Sequence, residues 1–391
     1  LLAIYTIISN QEIKLNSKVV KKKVILINSI SNFSDDDGSM QKIARSFELL
    51  GHEVIYIEKP ISIFNMARNW RNIFIIFNRF FSKKIHLERK NISIVNPGVF
   101  PIFGYFISYF RKRYELKKLS YLKKYNFDII INYDPLGDFF LHLCKDYFKN
   151  AKIGFYNTQD FLATPQPSFL KKVRLSSINS IYNDRFNKII ISNPNLEKYG
   201  KYDILLFGGV ETDKFKFRIK KIDSKNLNVI YHGTFNVALD YDLIFKTISS
   251  NFHITFNFLG PIKDTNSTID RIFSLKNVNH LGSVDYSKVP DIIAKYDIGF
   301  IPYYVNELTD SVTSLKLYEY LSIGMPVVTT SYSEAINNNS KLFFIDDGDT
   351  FEDAALLTEE VLMRNYNIAS KKSWLTNTKK IIDLYENSNT K

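Results

Sequence analysis

Val24-Ile25-Leu26-Ile27-Asn28, a polar loop over residues 29–39, the helical spacing of residues 40–50, Gly51, and His52-Glu53-Val54-Ile55-Tyr56-Ile57 decide the fold of this 391-residue chain. A short apolar run bounded by polar residues reads as a buried strand. Strand, Gly-bearing loop, helix closed by a C-cap glycine, and strand make a βαβ unit that opens a parallel sheet. Comparable runs lie at residues 128–133, 151–156 and 188–192, without the alternation of a half-exposed sheet. Leu205-Leu206-Phe207-Gly208-Gly209-Val210 and a charged linker over residues 214–225 then reset the pattern. Strands are expected at 228–234, 254–259, 278–281, 297–302 and 326–330, with helices at 240–250, 288–295 and 314–323. The predicted fold is α/β, two Rossmann-like doubly wound domains facing across a cleft. An N-terminal domain spans 20–205, a C-terminal domain 206–365, and a terminal helix over 366–391 packs back on the first. Ligands in such sheets bind at the carboxyl ends of the strands.

Apolar residues make up 45% and charged residues 24% of the chain, which excludes disordered, collagenous and coiled-coil classes. The single cysteine, Cys144, excludes a disulfide framework and reads as a buried small hydrophobe. No apolar run is long enough to span a bilayer. Residues 1–9 lack basic residues ahead of them and read as a core or capping segment, not a signal peptide. The first residue is not Met, as in a trimmed chain or a fragment.

The net charge of +12 is unevenly spread: +15 over residues 1–200 and −3 over the rest. Residues 59–124 hold 15 basic, 2 acidic and 14 aromatic residues. Phe74 and Phe77 lie in one aromatic and basic stretch there, and Phe103 and Phe106 run into Arg111-Lys112-Arg113 in another. Rings at the headgroup boundary with cations beside them suit an anionic membrane surface; the other reading, which the same helical period fits, is aromatics in the core beneath a solvated basic face. No signature of a nucleic-acid-binding module accompanies them, so nucleic acid is not expected as a partner.

Asp310-Ser311-Val312-Thr313-Ser314-Leu315-Lys316-Leu317-Tyr318-Glu319-Tyr320-Leu321-Ser322-Ile323-Gly324-Met325-Pro326-Val327-Val328 carries the chemistry. A hydroxyl-rich loop enters a short helix whose first turn offers free N–H groups at Thr313, Ser314 and Leu315, an anion site. Lys316 and Glu319 are three apart and share a face. Lys316 suits a diphosphate, and Glu319 suits the two hydroxyls of a ribose.

The segment resembles the nucleotide-binding signature of GT-B-fold glycosyltransferases. Three further landmarks resemble that family in the same order. They are the interdomain Phe207-Gly208-Gly209-Val210-Glu211-Thr212-Asp213-Lys214-Phe215, the first strand and turn Tyr231-His232-Gly233-Thr234, and Asp297-Ile298-Gly299-Phe300-Ile301-Pro302-Tyr303; Trp374 sits where the family has a C-terminal helix. The resemblance implies a metal-independent glycosyltransferase that takes a nucleoside diphosphate sugar as co-substrate, UDP being the first expectation, and needs no other cofactor. His232, Gly233 and Thr234 would join the donor site, His232 having a second reading as a hydrogen-bonded structural histidine; Gly38, in the first βα loop, would lie by the acceptor.

Two departures narrow the resemblance. Ser311 stands where the large retaining group has a carboxylate, and residues 232–241 lack its cation. The chain is more similar to the xanthan glucuronosyltransferase and teichuronic-acid group of bacterial surface-polysaccharide enzymes, where an N-domain carboxylate serves as the acceptor base. Asp160, just past a strand end, is the candidate base; its other reading is a capping aspartate. Asp346-Asp347-Gly348-Asp349 reads as an acidic turn before a helix capped by Asp349 or Thr350, and no His/Cys/Asp cluster suggests a metal. The acceptor is expected to be a lipid-linked glycan, and the location cytoplasmic, on the inner face of the cell membrane. The rivals are a nucleotide-sugar 2-epimerase of the same fold and a non-catalytic polyanion- or membrane-binding protein.

Overall fold

The computed structural model describes residues 21–34, 38–62, 85–100, 108–185, 187–264, 266–333, 336 and 340–387. The N-terminal half runs β1 (Val24–Asn28), α1 (Ser39–Leu49), β2 (Glu53–Ile57), β3 (Ile61–Ser62), β4 (Ile85–Arg89), β5 (Ile92–Val95), β6 (Val99–Phe100), α2 (Ser108–Ser120), β7 (Ile129–Asn132), α3 (Asp138–Tyr147), β8 (Lys152–Asn157), α4 (Ser168–Asn183), β9 (Asn187–Ile191) and β10 (Ile204–Leu205). Its main sheet has the order β10-β9-β8-β7-β1-β2-β5-β4, parallel except at the β4–β5 edge. Strands β3 and β6 form a separate parallel pair. Gly51 follows Leu50, the C-cap of α1, with φ +86°, a left-handed conformation that glycine adopts without a Cβ penalty.

The second half runs β11 (Asn228–His232), α5 (Tyr241–Ser250), β12 (Thr255–Leu259), α6 (Thr268–Phe273), β13 (Val278–Gly282), α7 (Val289–Ile293), β14 (Ile298–Ile301), α8 (Glu307–Asp310), α9 (Leu315–Ser322), β15 (Val327–Thr329), β16 (Phe343–Phe344), α10 (Phe351–Ala355), α11 (Glu359–Ser370) and α12 (Trp374–Glu386). Its sheet is parallel, in the order β13-β12-β11-β14-β15-β16. In both sheets the chain leaves the first strand in one direction and later returns to its other side, at β7 beside β1 and at β14 beside β11. The crevice at each such point lies at the carboxyl ends of the strands.

The central strands β1, β2, β7 and β11 are buried almost throughout, which is why they read as unbroken apolar runs. Cys144 is buried among Phe140, Leu141 and Phe148, and burial raises its thiol pKa. Helix α12 joins the N-terminal domain, because Trp374, Ile381 and Tyr385 enter the core built on Ile25, Ile43 and Phe47. Val210 N–H donates to Lys372 O at 2.9 Å, and Lys152 Nζ donates to Tyr385 O at 2.6 Å, so both ends of α12 are tied to that domain or its linker. Burying a side chain as large as Trp374 contributes about 1.5–3 kcal/mol or more, enough to hold the chain end there.

Within the segment expected to face a membrane, Arg111 differs from the sequence reading. Phe74, Phe77, Phe103 and Phe106 lie outside the described residues. Helix α2 turns Arg111, Tyr114, Glu115, Lys118 and Leu119 inward and leaves Lys112 and Arg113 exposed. Arg111 is thus corrected from a membrane-facing cation to a buried one. Its Nη2 lies 3.2 Å from Asp138 Oδ2, and its guanidinium packs 4.5 Å from the Phe139 ring centroid. A run of three cations on a helix cannot all face one way, and the one in register with the apolar face goes inside.

Candidate active site

Helix α9 starts at the carboxyl end of the sheet, after β14. Ser314 occupies its N-cap position with extended backbone (φ −67°, ψ 118°) and makes no side-chain cap bond. Leu317, Tyr318, Tyr320 and Leu321 are buried, and Gly324 at φ +78° ends the helix before Pro326. The free N–H groups of the first turn therefore point to the crevice side of the sheet.

Residues from separate elements of the C-terminal domain meet here. Lys316 Nζ donates to Tyr303 Oη at 3.0 Å and lies 5.5 Å from the Tyr231 ring centroid. Burial pulls its pKa down, but Tyr231, Tyr303 and Glu319 outweigh this and hold it above the ordinary lysine value, so it is a fixed cation. Gly233, at φ +130°, closes the turn after β11 by donating to Leu259 O at 2.7 Å. His232 Nε2 lies 2.7 Å from Glu319 Oε2. The carboxylate accepts only, so this nitrogen carries the proton. Burial lowers the His232 pKa against the pull of Glu319. The ring is therefore neutral near pH 7, and its Nδ1, an acceptor, is buried without a hydrogen-bond partner.

Glu319 is 3% exposed. Oε1 accepts from Tyr286 Oη and lies 3.5 Å from Lys42 Nζ, which reaches across from α1. Burial pushes the Glu319 pKa up, but Lys42, His232 and Tyr286 more than reverse it and keep the carboxyl ionised. Lys42 Nζ also lies 3.5 Å from Glu211 Oε2 in the interdomain segment and 3.9 Å from the Tyr286 ring centroid. Lys42 and Tyr286 carry no local signal of this role, and Glu211 stands out only as part of the interdomain stretch 207–215. Their grouping depends on contacts between residues up to 277 positions apart.

Asp160 lies where the two halves touch. Its backbone N–H donates to Ser311 Oγ at 2.9 Å. Its Oδ1 accepts from Leu162 N–H at 2.8 Å, Ala163 N–H at 3.1 Å and Tyr199 Oη, and its Oδ2 lies 2.6 Å from Lys198 Nζ. Burial raises its pKa, and these bonds from Lys198, Tyr199 and Leu162 overcome that and lower it. The carboxylate caps a turn and is ion-paired, an arrangement that weakens a base. Nearby, Thr313 Oγ1 donates to Ser192 O at 2.9 Å and Asn193 Nδ2 donates to Asp310 O at 2.9 Å, joining the loop before α9 to the end of β9.

The remaining candidates fall as follows. Leu315 packs against the N-domain core, at the place where a Cβ on Gly208 would meet its Cδ2 at 2.6 Å. Thr234 O accepts from Tyr231 Oη at 3.0 Å. Gly38 precedes α1 with φ −76°, an extended conformation open to any residue. In the acidic turn, Thr350 caps α10, while Asp346 accepts from Ser331 N–H and Asp349 accepts from Phe344 N–H at 2.8 Å. On the N-domain side of the crevice, Lys118 Nζ lies 2.6 Å from Glu115 and donates to Asn28 Oδ1 at 3.2 Å, and Asn28 donates to Asn132 Oδ1 at 2.6 Å. Burial raises the Glu115 pKa.

Comparison with known proteins fits this geometry. Residues 227–361, about a third of the chain, match the family model described as "Glycosyl transferases group 1". The chain is 29% identical over 154 residues to the Bacillus subtilis (strain 168) protein named "Putative teichuronic acid biosynthesis glycosyltransferase TuaH", covering 36% of this chain and 38% of that relative. The match therefore spans well under half of the curated relative's length. Among solved structures, the sucrose-phosphate synthase of Thermosynechococcus elongatus superposes with a TM-score of 0.70 at 11% identity, over 94% of this chain and 100% of that one. Anabaena HepE in complex with UDP-glucose superposes with a TM-score of 0.62 at 12% identity, over 93% and 100%. At such identities these superpositions speak for the fold alone. Residues 227–361 are thus similar to the group 1 glycosyltransferase domain, and the chain as a whole has the GT-B fold.

Proposed function

We propose that this chain moves a sugar from a nucleoside diphosphate sugar to a hydroxyl of a surface glycan. The reading rests on one observation: an ionised carboxylate (Glu319), a fixed cation (Lys316), a tight glycine turn (Gly233) and a free helix N-terminus converge at the carboxyl edge of one sheet. Glu319 would accept from the donor ribose. Lys316 and the first-turn N–H groups would neutralise the diphosphate, whose charge grows as the glycosidic bond breaks, and stabilisation aimed at that growing charge accelerates transfer. His232 Nδ1 would accept a hydrogen bond from the donor. UDP is the proposed nucleotide, supported by the UDP-glucose complex of the Anabaena protein of the same fold.

The acceptor is proposed to meet the N-terminal domain, lipid-linked and at the inner face of the membrane. The support is the basic excess of that half, with Lys112 and Arg113 exposed on α2. Among the described residues no helix is long and apolar enough to cross a membrane. Asp160 enters as a residue that links the domains, with its carboxylate already engaged.

Calorimetry with UDP-, GDP-, ADP- and TDP-sugars tests the donor assignment. One nucleotide class should bind and be competed by its free diphosphate. No binding by any of them would overturn the assignment.

A further inference from the structure

The C-terminal domain supplies the conspicuous donor-site groups, yet the carboxylate among them is held from the other domain. Lys42 lies on α1 with its side chain fully buried. Its Nζ is 3.5 Å from Glu319 Oε1, 3.5 Å from Glu211 Oε2 and over the ring of Tyr286, whose hydroxyl it also contacts. Tyr286 in turn donates to Glu319 Oε1. One cation therefore joins the first helix of the N-terminal domain, the interdomain segment and the donor helix α9. Lys214 Nζ lies 2.8 Å from Glu211 Oε1, so Glu211 is already paired on its other oxygen.

We infer that Lys42 is a positioning residue of the donor site, which orients the Glu319 carboxylate for the ribose and makes that site complete only when the two domains are closed on each other. The inference rests on the donor-site reading above. A carboxylate offers about four acceptor sites. Tyr286 and Lys42 take Oε1 and His232 takes one side of Oε2, which leaves the second Oε2 lone pair, in a fixed direction, for a ribose hydroxyl. His232 is neutral, and Lys316 lies on the Tyr303 side of the helix. Among the described residues, Lys42 is therefore the cation in contact with Glu319. Without it, a buried carboxylate would rely on two neutral donors, and removing one partner of a buried ion pair leaves the other uncompensated. Lys42 and Glu319 lie on different domains, so any separation of the two would carry Lys42 away with α1. Ribose recognition is thereby tied to closure.

The test compares binding of UDP and 2′,3′-dideoxy-UDP by calorimetry, since only the ribose hydroxyls differ. Wild type should favour UDP by about tenfold or more, as expected when a buried acceptor loses its partner. Glu319→Gln and Lys42→Met should each collapse this ratio to about threefold or less, and Lys42→Arg, which keeps the charge, should retain it. The double variant Lys42→Met/Glu319→Gln should lose no more than Glu319→Gln alone, because the two act as one unit. A merely structural role for Lys42 would weaken both ligands equally and leave the ratio intact, and that result overturns the inference. If Lys42→Met melts below the assay temperature, Lys42→Gln takes its place with the same expected ratio. If Glu319→Gln itself keeps the wild-type ratio, the donor-site reading fails instead, whatever Lys42 does.

Discussion

A Cβ placed on Gly233 would lie 2.7 Å from Nζ of Lys316 and closer still to its Cε. The turn after β11 thus forms one wall of the channel in which the Lys316 side chain runs. Gly233 also has φ +130°, a conformation that side chains rarely adopt. Gly233→Ala should therefore strain the backbone and displace the cation together. A loss of about 1–3 kcal/mol in stability is expected from the backbone alone. Nucleotide affinity should fall as well, because Lys316 can no longer hold its place beside Tyr303. Thermal melting and calorimetry check both, and an unchanged affinity would separate Lys316 from the diphosphate.

Glu319 and Lys316 should fail differently. Glu319→Ala removes a charged acceptor from the ribose and should weaken donor binding by about 1.5–3 kcal/mol. Lys316→Ala should lower turnover more than binding, since the leaving-group charge develops in the transition state. Steady-state kinetics with the identified donor distinguish the two. Wild-type kinetics in both variants, with intact folding, would remove the assignment.

Asp160 offers a contest between support and catalysis. Its carboxylate is engaged by Leu162, Ala163, Tyr199 and Lys198, and the backbone ties it to Ser311. The expected outcome is a structural one: Asp160→Ala loses about 0.5–2 kcal/mol, as for other capping residues, and Asp160→Asn loses less. Turnover should change less than tenfold in Asp160→Asn. A fall of about 100-fold or more at an unchanged melting temperature would instead mark it as the general base, whose removal typically costs 100- to 10,000-fold.

His232 makes stability pH-dependent. Its folded pKa is lowered by burial, so below an ordinary histidine value of about 6.5 the unfolded chain binds more protons than the folded one. Stability is then fully present above that value and falls as the pH drops toward the folded pKa. His52, also lowered by burial, adds a similar slope. His232→Gln should flatten the decline of melting temperature between about pH 6.5 and 5 while leaving the His52 share. An identical slope in wild type and variant would show that His232 is not held neutral.

Membrane attachment, if the basic half provides it, should depend on Lys112 and Arg113 and not on Arg111. Replacing Lys112 and Arg113 by Gln should reduce co-sedimentation with anionic vesicles, by about 1 kcal/mol for each cation near the surface. Arg111→Gln should mainly lower the melting temperature, because it breaks a buried pair with Asp138. Equal binding of the double variant and wild type would exclude this helix face.

What the sequence by itself determined is the order of elements and the donor helix. Parallel strands such as Leu26 and Ile27 in β1 are buried on both faces, so they stand out as apolar runs whatever lies around them. Lys316 and Glu319 share a helix face through a spacing of three, a purely local relation. The inward turn of Arg111 was not legible, because a mixed aromatic and basic stretch has the same periodicity whether its apolar side meets a core or a bilayer. Only the tertiary structure decided that Lys42 meets Glu319 across 277 residues, that Asp160 meets Ser311 across 151, and that Trp374 returns to the first domain's core. Residue patterning reports which positions leave water. It does not report which surface, from which domain, replaces the water, and these pairings join parts of the chain far apart in sequence that only the assembled tertiary structure brings together.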